Sequence, residues 1–124
     1  MNVFRAREVG DDWSEVRAEL ERAFDMSRAA AQREESFVYV VHHDDLLGRR
    51  GAGNAMVATG LLSAARTAAI EGWRKGWTAN VVAYDDEADA GLVDAWVERL
   101  ARDSSGVTGE LIRLGPSHIG KALP

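Results

Sequence analysis

The chain contains no cysteine among its 124 residues. This absence excludes disulfide bonds, thiolate metal ligands and a cysteine nucleophile, and it fits a reducing compartment. No run of apolar residues approaches the roughly 20 that cross a bilayer. The N-terminal stretch MNVFRAREVGDDW carries charges where a secretory signal would be apolar. We therefore expect a cytoplasmic protein without a membrane partner.

An excess of positive charge is also missing. Acidic residues outnumber basic ones by 20 to 15, the net charge is −5, and the basic residues are scattered among acids. Because nucleic acids and anionic membranes are themselves negative, neither is an expected partner. The hydrophobic fraction of 46% is enough for a core. The length predicts a single domain over residues 1–124, with 115–124 as a loose tail.

Segments with strand composition alternate along the chain with segments of helical periodicity. The predicted strands are 2–8, 36–41, 77–84 and 106–115. The predicted helices are 11–32, 53–76 and 85–103, and the glycine-rich segment 42–53 is predicted to be a loop. This alternation predicts an α/β fold. We expect a half-size Rossmann-like three-layer domain of about four mostly parallel strands, with helices on both faces.

The aromatic residues and the first helix end give more local predictions. Asp12 and Glu15 have the spacing of a capping box at the start of the first long helix. Trp13 and Trp96 lie on apolar helical stripes, which predicts that both pack in the core. Trp73 and Trp77 flank a short basic turn and are predicted to cover the sheet edge.

From Leu20 onward, the order of segments resembles the C-terminal half of a short-chain dehydrogenase/reductase. LERAFDMSRAAA resembles the family's helix that usually begins with Asn-Leu, and SFVYVVHH resembles the strand that ends at the catalytic serine. IEGWRKGWTANVVAY resembles a stretch of Glu, a basic turn and Val-Asn-x-Val-x-Pro-Gly. VTGELIRLG resembles the closing strand with its Thr-Gly start. Four matches in the same order are more specific than any one of them.

The resemblance places a changed residue at each catalytic position of that family. The active-site asparagine falls on Glu19, the serine on His42, the tyrosine on Asn54 and the lysine on Ala58. Carbonyl reduction needs a phenol to donate a proton and a lysine to lower the pKa of that phenol. An amide does not titrate and a methyl group carries no charge. The resemblance therefore implies a pseudoenzyme without dehydrogenase activity.

The nucleotide-binding part of the resembled fold is also not recognisable. The strand 36–41 comes too early for three preceding βα units, so we expect a truncated domain that binds no cofactor. The glycines of GRRGAGN follow the wrong strand for a dinucleotide site. The Pro-Gly pair that packs beside the nicotinamide in the family falls on Tyr84 and Asp85.

The cluster His42, His43, Asp44 and Asp45 has the residue types of a metal site or an acid/base pair. Neighbouring residues at a strand end point in opposite directions, so at most His42 and Asp44 share a face. Two ligands are too few for a structural zinc site. We predict a solvated turn without a metal, and leave open a small acid/base enzyme that uses Glu19 and His42.

The segment from Asn54 to Ala65 has no charge in twelve residues, although 28% of the chain is charged. A helix on one face of a sheet normally carries charge on its outer side, so a partner is predicted to cover this one. In the resembled family, this helix and the one before it pair with a second subunit. The predicted interface residues are Phe24, Ser27, Ala55, Met56, Ala58, Gly60, Leu61, Ala64, Ala65 and Ala68.

The functional prediction is a non-catalytic subunit that acts as a structural or regulatory partner. The expected partner is a full-length, catalytically competent oxidoreductase of the same type, in a hetero-oligomer, or a second copy of the chain. The alternative is a homo-oligomeric module that binds a small molecule in the remnant of the active-site cleft, near Glu19, His42, Asn54 and Tyr84.

Overall fold

A computed structural model describes residues 1–102 and 106–120. Its elements in chain order are β1 Asn2–Arg5, α1 Trp13–Gln32, β2 Phe37–His42, α2 His43–Leu46, α3 Ala52–Trp73, β3 Ala79–Tyr84, α4 Ala90–Arg102, β4 Leu111–Leu114 and the 3-10 turn η1 Pro116–His118. Every predicted strand and long helix is present, although most are shorter than predicted. The end of the third predicted helix, Asp103, lies outside the described residues.

The strands form one parallel sheet in the order β1–β2–β3–β4, which is also their order in the chain. Phe4 pairs with Tyr39, Tyr39 with Val81, and Val81 with Leu111. β2 is buried throughout, and β3 is buried except for a half-buried Tyr84, as their near-continuous apolar sequences require. β1 covers the outer edge of β2, so β1 rather than β2 is the edge strand on that side.

Alternate residues of β2 enter two separate hydrophobic cores. Phe37, Tyr39 and Val41 pack under α1 and α3, whereas Val38 and Val40 pack under α4. This arrangement gives helices on both faces and confirms the predicted three layers. Each new strand is added on the same side of the previous one, but α4 lies on the face opposite to α1 and α3. The β3–α4–β4 crossover therefore has the opposite hand to the β1–α1–β2 and β2–α3–β3 crossovers.

The first turn of α1 differs in two ways from its prediction. Asp12 is the N-cap and accepts a hydrogen bond from the Ser14 backbone N–H at 3.0 Å, as expected, but Glu15 reaches back to the Gly10 N–H at 2.7 Å. The core prediction for Trp13 is wrong, since this residue is 60% exposed. The buried side of α1 begins one turn later, at Val16.

Helix α3 has apolar residues on all sides, and the sheet selects which of them are buried. At its C-terminal end Gly72 lies against Trp77, where a Cβ would come within 2.5 Å of the indole. Trp77 is buried and its ring centroid lies 6.1 Å from that of Phe37, whereas Trp73 is 70% exposed. Trp96 is half-buried against the second core. Thus Trp77 and Trp96 pack on a core as aromatic residues prefer, and Trp73 does not.

Two segments predicted to be irregular contain short helices. Residues 43–46 of the predicted loop form α2, whose first turn holds Asp44 and Asp45, as the helix dipole favours. The predicted tail contains η1, and residues 121–124 lie outside the described part. Among the helices of the described residues, none combines the length and the apolar content needed to cross a bilayer.

Candidate functional site

The carboxyl ends of β1, β2 and β3 meet at one edge of the sheet, where parallel α/β folds place their ligand crevice. A crevice of about 340 Å³ lies there, on the α4 side. Its lining includes Arg5, Val40, Tyr84, Asp86 and Asp94. The sequence predicts a cleft near Glu19, His42, Asn54 and Tyr84, but of these four residues only Tyr84 lines this crevice.

Glu19 is buried and fully engaged by its neighbours. Its carboxylate accepts hydrogen bonds from the Arg7 backbone N–H at 2.6 Å and from Arg22 at 2.8 and 3.0 Å. Arg22 also donates to the Arg5 carbonyl at 3.1 Å and lies 4.2 Å from the centroid of the Phe4 ring. A buried carboxylate needs such partners, because an unpaired charge would be strongly destabilising. Glu19 therefore fixes the chain after β1.

Asn54 fixes the same segment from the other side. Its side-chain oxygen accepts from the Val9 N–H at 2.8 Å, and its side-chain nitrogen donates to the Arg50 carbonyl at 2.9 Å. The neighbouring Gly53 lies against the backbone of Gly10, whose carbonyl oxygen would overlap a Cβ at position 53. We call residues 6–12 the strap. Glu19 and Asn54, at two of the changed catalytic positions, hold the strap across the N-terminus of α3.

His42 has both ring nitrogens engaged. Nδ1 accepts from the Asp44 backbone N–H at 3.1 Å and thereby caps α2, and Nε2 lies 2.8 Å from the Asp86 carboxylate. Because Nδ1 accepts a hydrogen bond, the ring proton is on Nε2. Nε2 therefore donates a hydrogen bond to the Asp86 carboxylate. None of the hydrogen bonds found among the described residues joins Glu19 to His42, so their pairing is not supported.

A third potential ligand joins His42 and Asp44, namely Asp86 from the β3–α4 connection, and the candidate ligand atoms of the three lie within 4.8 Å of one another. Asp86 lies two residues after β3, among several aspartates that the sequence pattern does not distinguish. Asp44 already pairs with Arg49 at 3.2 Å. A metal on Nε2 of His42 would require a proton on Nδ1, facing the Asp44 N–H. These contacts favour hydrogen bonding over metal binding.

Asp85 joins β3 to the C-terminal residues. Its buried carboxylate accepts from the Glu87 N–H at 2.9 Å and from the Ser117 N–H at 2.7 Å. Burial acts to raise the pKa of this carboxyl, but the hydrogen bonds from Ser117 and from the Glu87 and Ala88 backbone outweigh it, so the pKa is lowered. At the position where the resembled family has glycine, this chain therefore has a structural carboxylate.

Ala58, at the position of the family's lysine, is buried in the first core. From α3 it packs towards the sheet. A methyl group there contributes only to packing.

A second and larger concavity lies between the outer sides of α1 and α3. This α1–α3 groove has a volume of about 880 Å³, with Phe37, Tyr39 and Trp77 among its lining residues. The Ser27 and Tyr39 hydroxyls hydrogen-bond to each other there. Burial raises the pKa of Tyr39, while the Ser27 hydrogen bond opposes the rise. The lining of the groove combines apolar side chains with charged ones.

The predicted interface residues divide between the groove and the core. Residues that line the groove are Phe24, Ser27, Gly60, Leu61, Ala64 and Ala68. The prediction is wrong for Ala58 and Ala65, which are 2% and 1% exposed and pack towards the sheet. Leu61 is also buried, at 2%, and only borders the groove. Met56 is 50% exposed and Ala55 half-buried, both outside the groove lining.

No protein-family profile and no curated protein matches the sequence, but solved structures do match the fold. A short-chain dehydrogenase from Mycobacterium smegmatis is similar with a TM-score of 0.73 and 23% identity, over 93% of this chain and 57% of that one. An oxidoreductase of the short-chain dehydrogenase/reductase family from Burkholderia thailandensis gives 0.70 and 17%, over 90% and 61%. A 4-hydroxyisoleucine dehydrogenase, in a complex with NADH and succinate, gives 0.70 and 16%, over 90% and 65%.

These similarities establish the fold class. The chain has the α/β Rossmann-like fold of short-chain dehydrogenases/reductases, and it spans about three fifths of the length of these three proteins.

Proposed function

We propose that the chain is a non-catalytic subunit with a short-chain-dehydrogenase fold, whose α1–α3 face binds a protein partner. The partner that fits best is a full-length oxidoreductase subunit of the same fold, in a hetero-oligomer. The observation that carries the proposal is the large groove on that face, which has an apolar centre and is lined by the exposed Phe24.

The state of the cleft argues against catalysis by this chain. Glu19 and Asn54 form hydrogen bonds with the strap, and His42 forms hydrogen bonds with the Asp86 carboxylate and the Asp44 N–H. A general base needs a free lone pair directed at a substrate. These three side chains instead direct their lone pairs at groups of the chain itself. Their role is to hold the edge of the sheet together.

The surface of the groove argues for a protein partner. Phe24 is 63% exposed, and a phenylalanine exposed to that extent beside an apolar groove is typical of an interaction site. The lining also includes charged residues of both signs, namely Arg28, Glu34, Glu71 and Lys75. An apolar centre together with such polar groups is the usual composition of a protein interface.

Specific observations also bear on two alternative functions, a homo-oligomer and a small-molecule binding module. Because the lining carries both charge signs, a second copy of the chain would also be complementary, which gives a homo-oligomer. The crevice beside Tyr84 is near the lower size limit of ligand pockets, about 300 Å³, and supports a small-molecule module less well.

The test is co-expression with a full-length oxidoreductase encoded beside the chain, followed by mass measurement of the purified complex. The Ala64→Glu variant should abolish the complex, because it places an unpaired charge in the groove. Ala95→Glu is the matched control, since Ala95 is exposed on α4 at the other face of the sheet. Intact assembly of the Ala64→Glu variant would exclude this face as the interface.

The same preparation separates the alternatives. A defined dimer of the chain alone, lost only in Ala64→Glu, identifies a second copy as the occupant. A monomer that fails to bind the oxidoreductase removes the proposed partner. Turnover of NAD(P)H by the purified chain alone would overturn the non-catalytic assignment.

A further inference from the structure

His43 is a buried histidine without a hydrogen-bond partner. It is 0% exposed, and neither Nδ1 nor Nε2 has a partner among the described residues. Buried polar atoms are normally paired, so an unpaired imidazole needs an explanation. His42, next to it on the other face of the sheet, has both of its ring nitrogens engaged.

The ring nearest to His43 belongs to His118 of η1, with 5.7 Å between the ring centroids. The charged groups that act on His43 are Asp44 of its own helix, Arg49 of the following turn and Arg113 of β4. Burial lowers the pKa of His43, and His118 and the two arginines lower it further, while Asp44 opposes them. His43 is thus held neutral beneath the C-terminal residues.

Residues 115–120 meet the domain through Gly115, Ser117 and His118. Ser117 donates its N–H to Asp85 at 2.7 Å, and Ile119 is 73% exposed. Gly115 has a φ of 115°, and a Cβ there would overlap the Asp85 carboxylate, so glycine permits both the turn and the close approach. We call residues 115–120 the flap, with Gly115 as its hinge.

We propose that the flap is a pH-sensitive element that leaves α2 when His43 takes up a proton. An imidazolium cannot stay in a buried site without acceptors, and it would face His118 and two arginines. Opening of the flap would admit water to both ring nitrogens. The residues between the end of β4 and Gly120 therefore respond to acidification while the rest of the domain stays folded.

The direction of the effect follows from proton linkage. Because the pKa of His43 is lower when the flap is closed, the open state binds more protons below the ordinary histidine value of about 6.5. Stability of the closed flap is complete above that value and falls as the pH drops towards the lowered pKa. The pKa of Asp85 is lowered from 3.8, so its contribution is lost only at a more acidic pH.

The absence of cysteine allows a single spin label to report on the flap. The label is attached at Ile119→Cys in the full chain, and its mobility is measured by electron paramagnetic resonance from pH 7.5 to pH 5. We expect the mobile fraction to rise several-fold over this range. A label at Ala95→Cys on α4 serves as the control and should not respond.

The decisive measurement uses the labelled chain with His43→Leu, because leucine is similar in size to histidine and cannot titrate. In this variant, acidification should no longer increase the mobility of the label at position 119. An increase that persists in His43→Leu, or no increase in the native background, would refute the proposal. If His43→Leu does not fold by circular dichroism, His118→Gln replaces it. Removal of that neighbouring charge raises the pKa of His43 in the closed flap towards its ordinary value, so acidification should open the flap less or only at lower pH. An unchanged transition would count against the proposal.

Discussion

The edge of the sheet under the strap and the outer face of α1 and α3 differ in how their side chains are used. At the edge, Glu19, His42 and Asn54 have the residue types of chemistry, and each is bonded to groups of the chain itself. On the helix face, Phe24 and Met56 have no reactive group and are 63% and 50% exposed. The residues at the edge are therefore used within the chain, whereas the helix face exposes large apolar side chains.

This difference separates two reasons for a residue to occupy its position. Substitution at the edge should change the stability of the chain, because polar atoms there would lose their partners. Substitution on the helix face should change association and leave the folded chain as stable as before. The following predictions test this distinction, from the largest expected change in the free energy of unfolding to the smallest.

Glu19→Ala should have the largest effect, a loss of about 2–3 kcal/mol in the free energy of unfolding. It removes the acceptor of the Arg7 N–H and the partner of Arg22. Urea denaturation followed by tryptophan fluorescence measures the change. Glu21→Ala is the control, because Glu21 forms only an exposed pair with Arg17 and should lose less than about 0.5 kcal/mol. Equal effects of the two substitutions would show that the buried contacts of Glu19 do not matter.

Asn54→Ala should lower the free energy of unfolding by about 1–2 kcal/mol, because the Val9 N–H and the Arg50 carbonyl lose their partner. Hydrogen exchange of the strap amides should increase at the same time. Asn54→Asp keeps an acceptor for Val9 but buries a carboxylate against the Arg50 carbonyl oxygen, so it should destabilise the chain at least as much as alanine. If both variants leave exchange of the strap unchanged, Asn54 does not fasten it.

Phe24→Ser should change the free energy of unfolding by less than about 0.5 kcal/mol at a concentration where the chain is monomeric. Its side chain is mostly exposed and adds little to the core. Binding of the partner or of a second copy should weaken at least tenfold, as measured by analytical ultracentrifugation. A large loss of stability in the monomer would instead make Phe24 a folding residue and end the contrast between the two regions.

The sequence was sufficient to predict the strands and the order of the layers. β2 and β3 are rich in β-branched residues between breakers, and such segments form buried strands in almost any context. The short helix α2 was missed because Gly48 and Gly51 follow it closely and suggested a loop over the whole segment. A cap formed by the His42 imidazole is an uncommon signal for a helix start.

The orientation of α3 could not be read from the sequence. A helix with one polar face shows which side meets the sheet, but α3 has apolar residues all round. The uncharged sequence and the family resemblance place Ala58, Leu61 and Ala65 at the interface, but all three are buried, and of them only Leu61 borders the groove. Trp13 shows the reverse error, because its place on an apolar stripe did not reveal that α1 meets the sheet only from Val16 onward.

The contacts of the candidate site could not be predicted from the sequence, for a different reason. Asn54 meets Val9, and His42 meets Asp86, only after the strands are paired. The family resemblance pointed to Glu19, His42 and Asn54, but it could not predict which groups form hydrogen bonds with them. Asp86 was not marked, since one aspartate among several after β3 has no distinctive spacing.

The strand order β1–β2–β3–β4 has a consequence for the way the chain reaches its native state. Each strand pairs with the one before it in the chain, so no pairing must wait for a distant segment. Proteins with short-range pairing close smaller loops and fold faster than those with distant pairings. During synthesis, each emerging βα unit can add to a sheet that already exists.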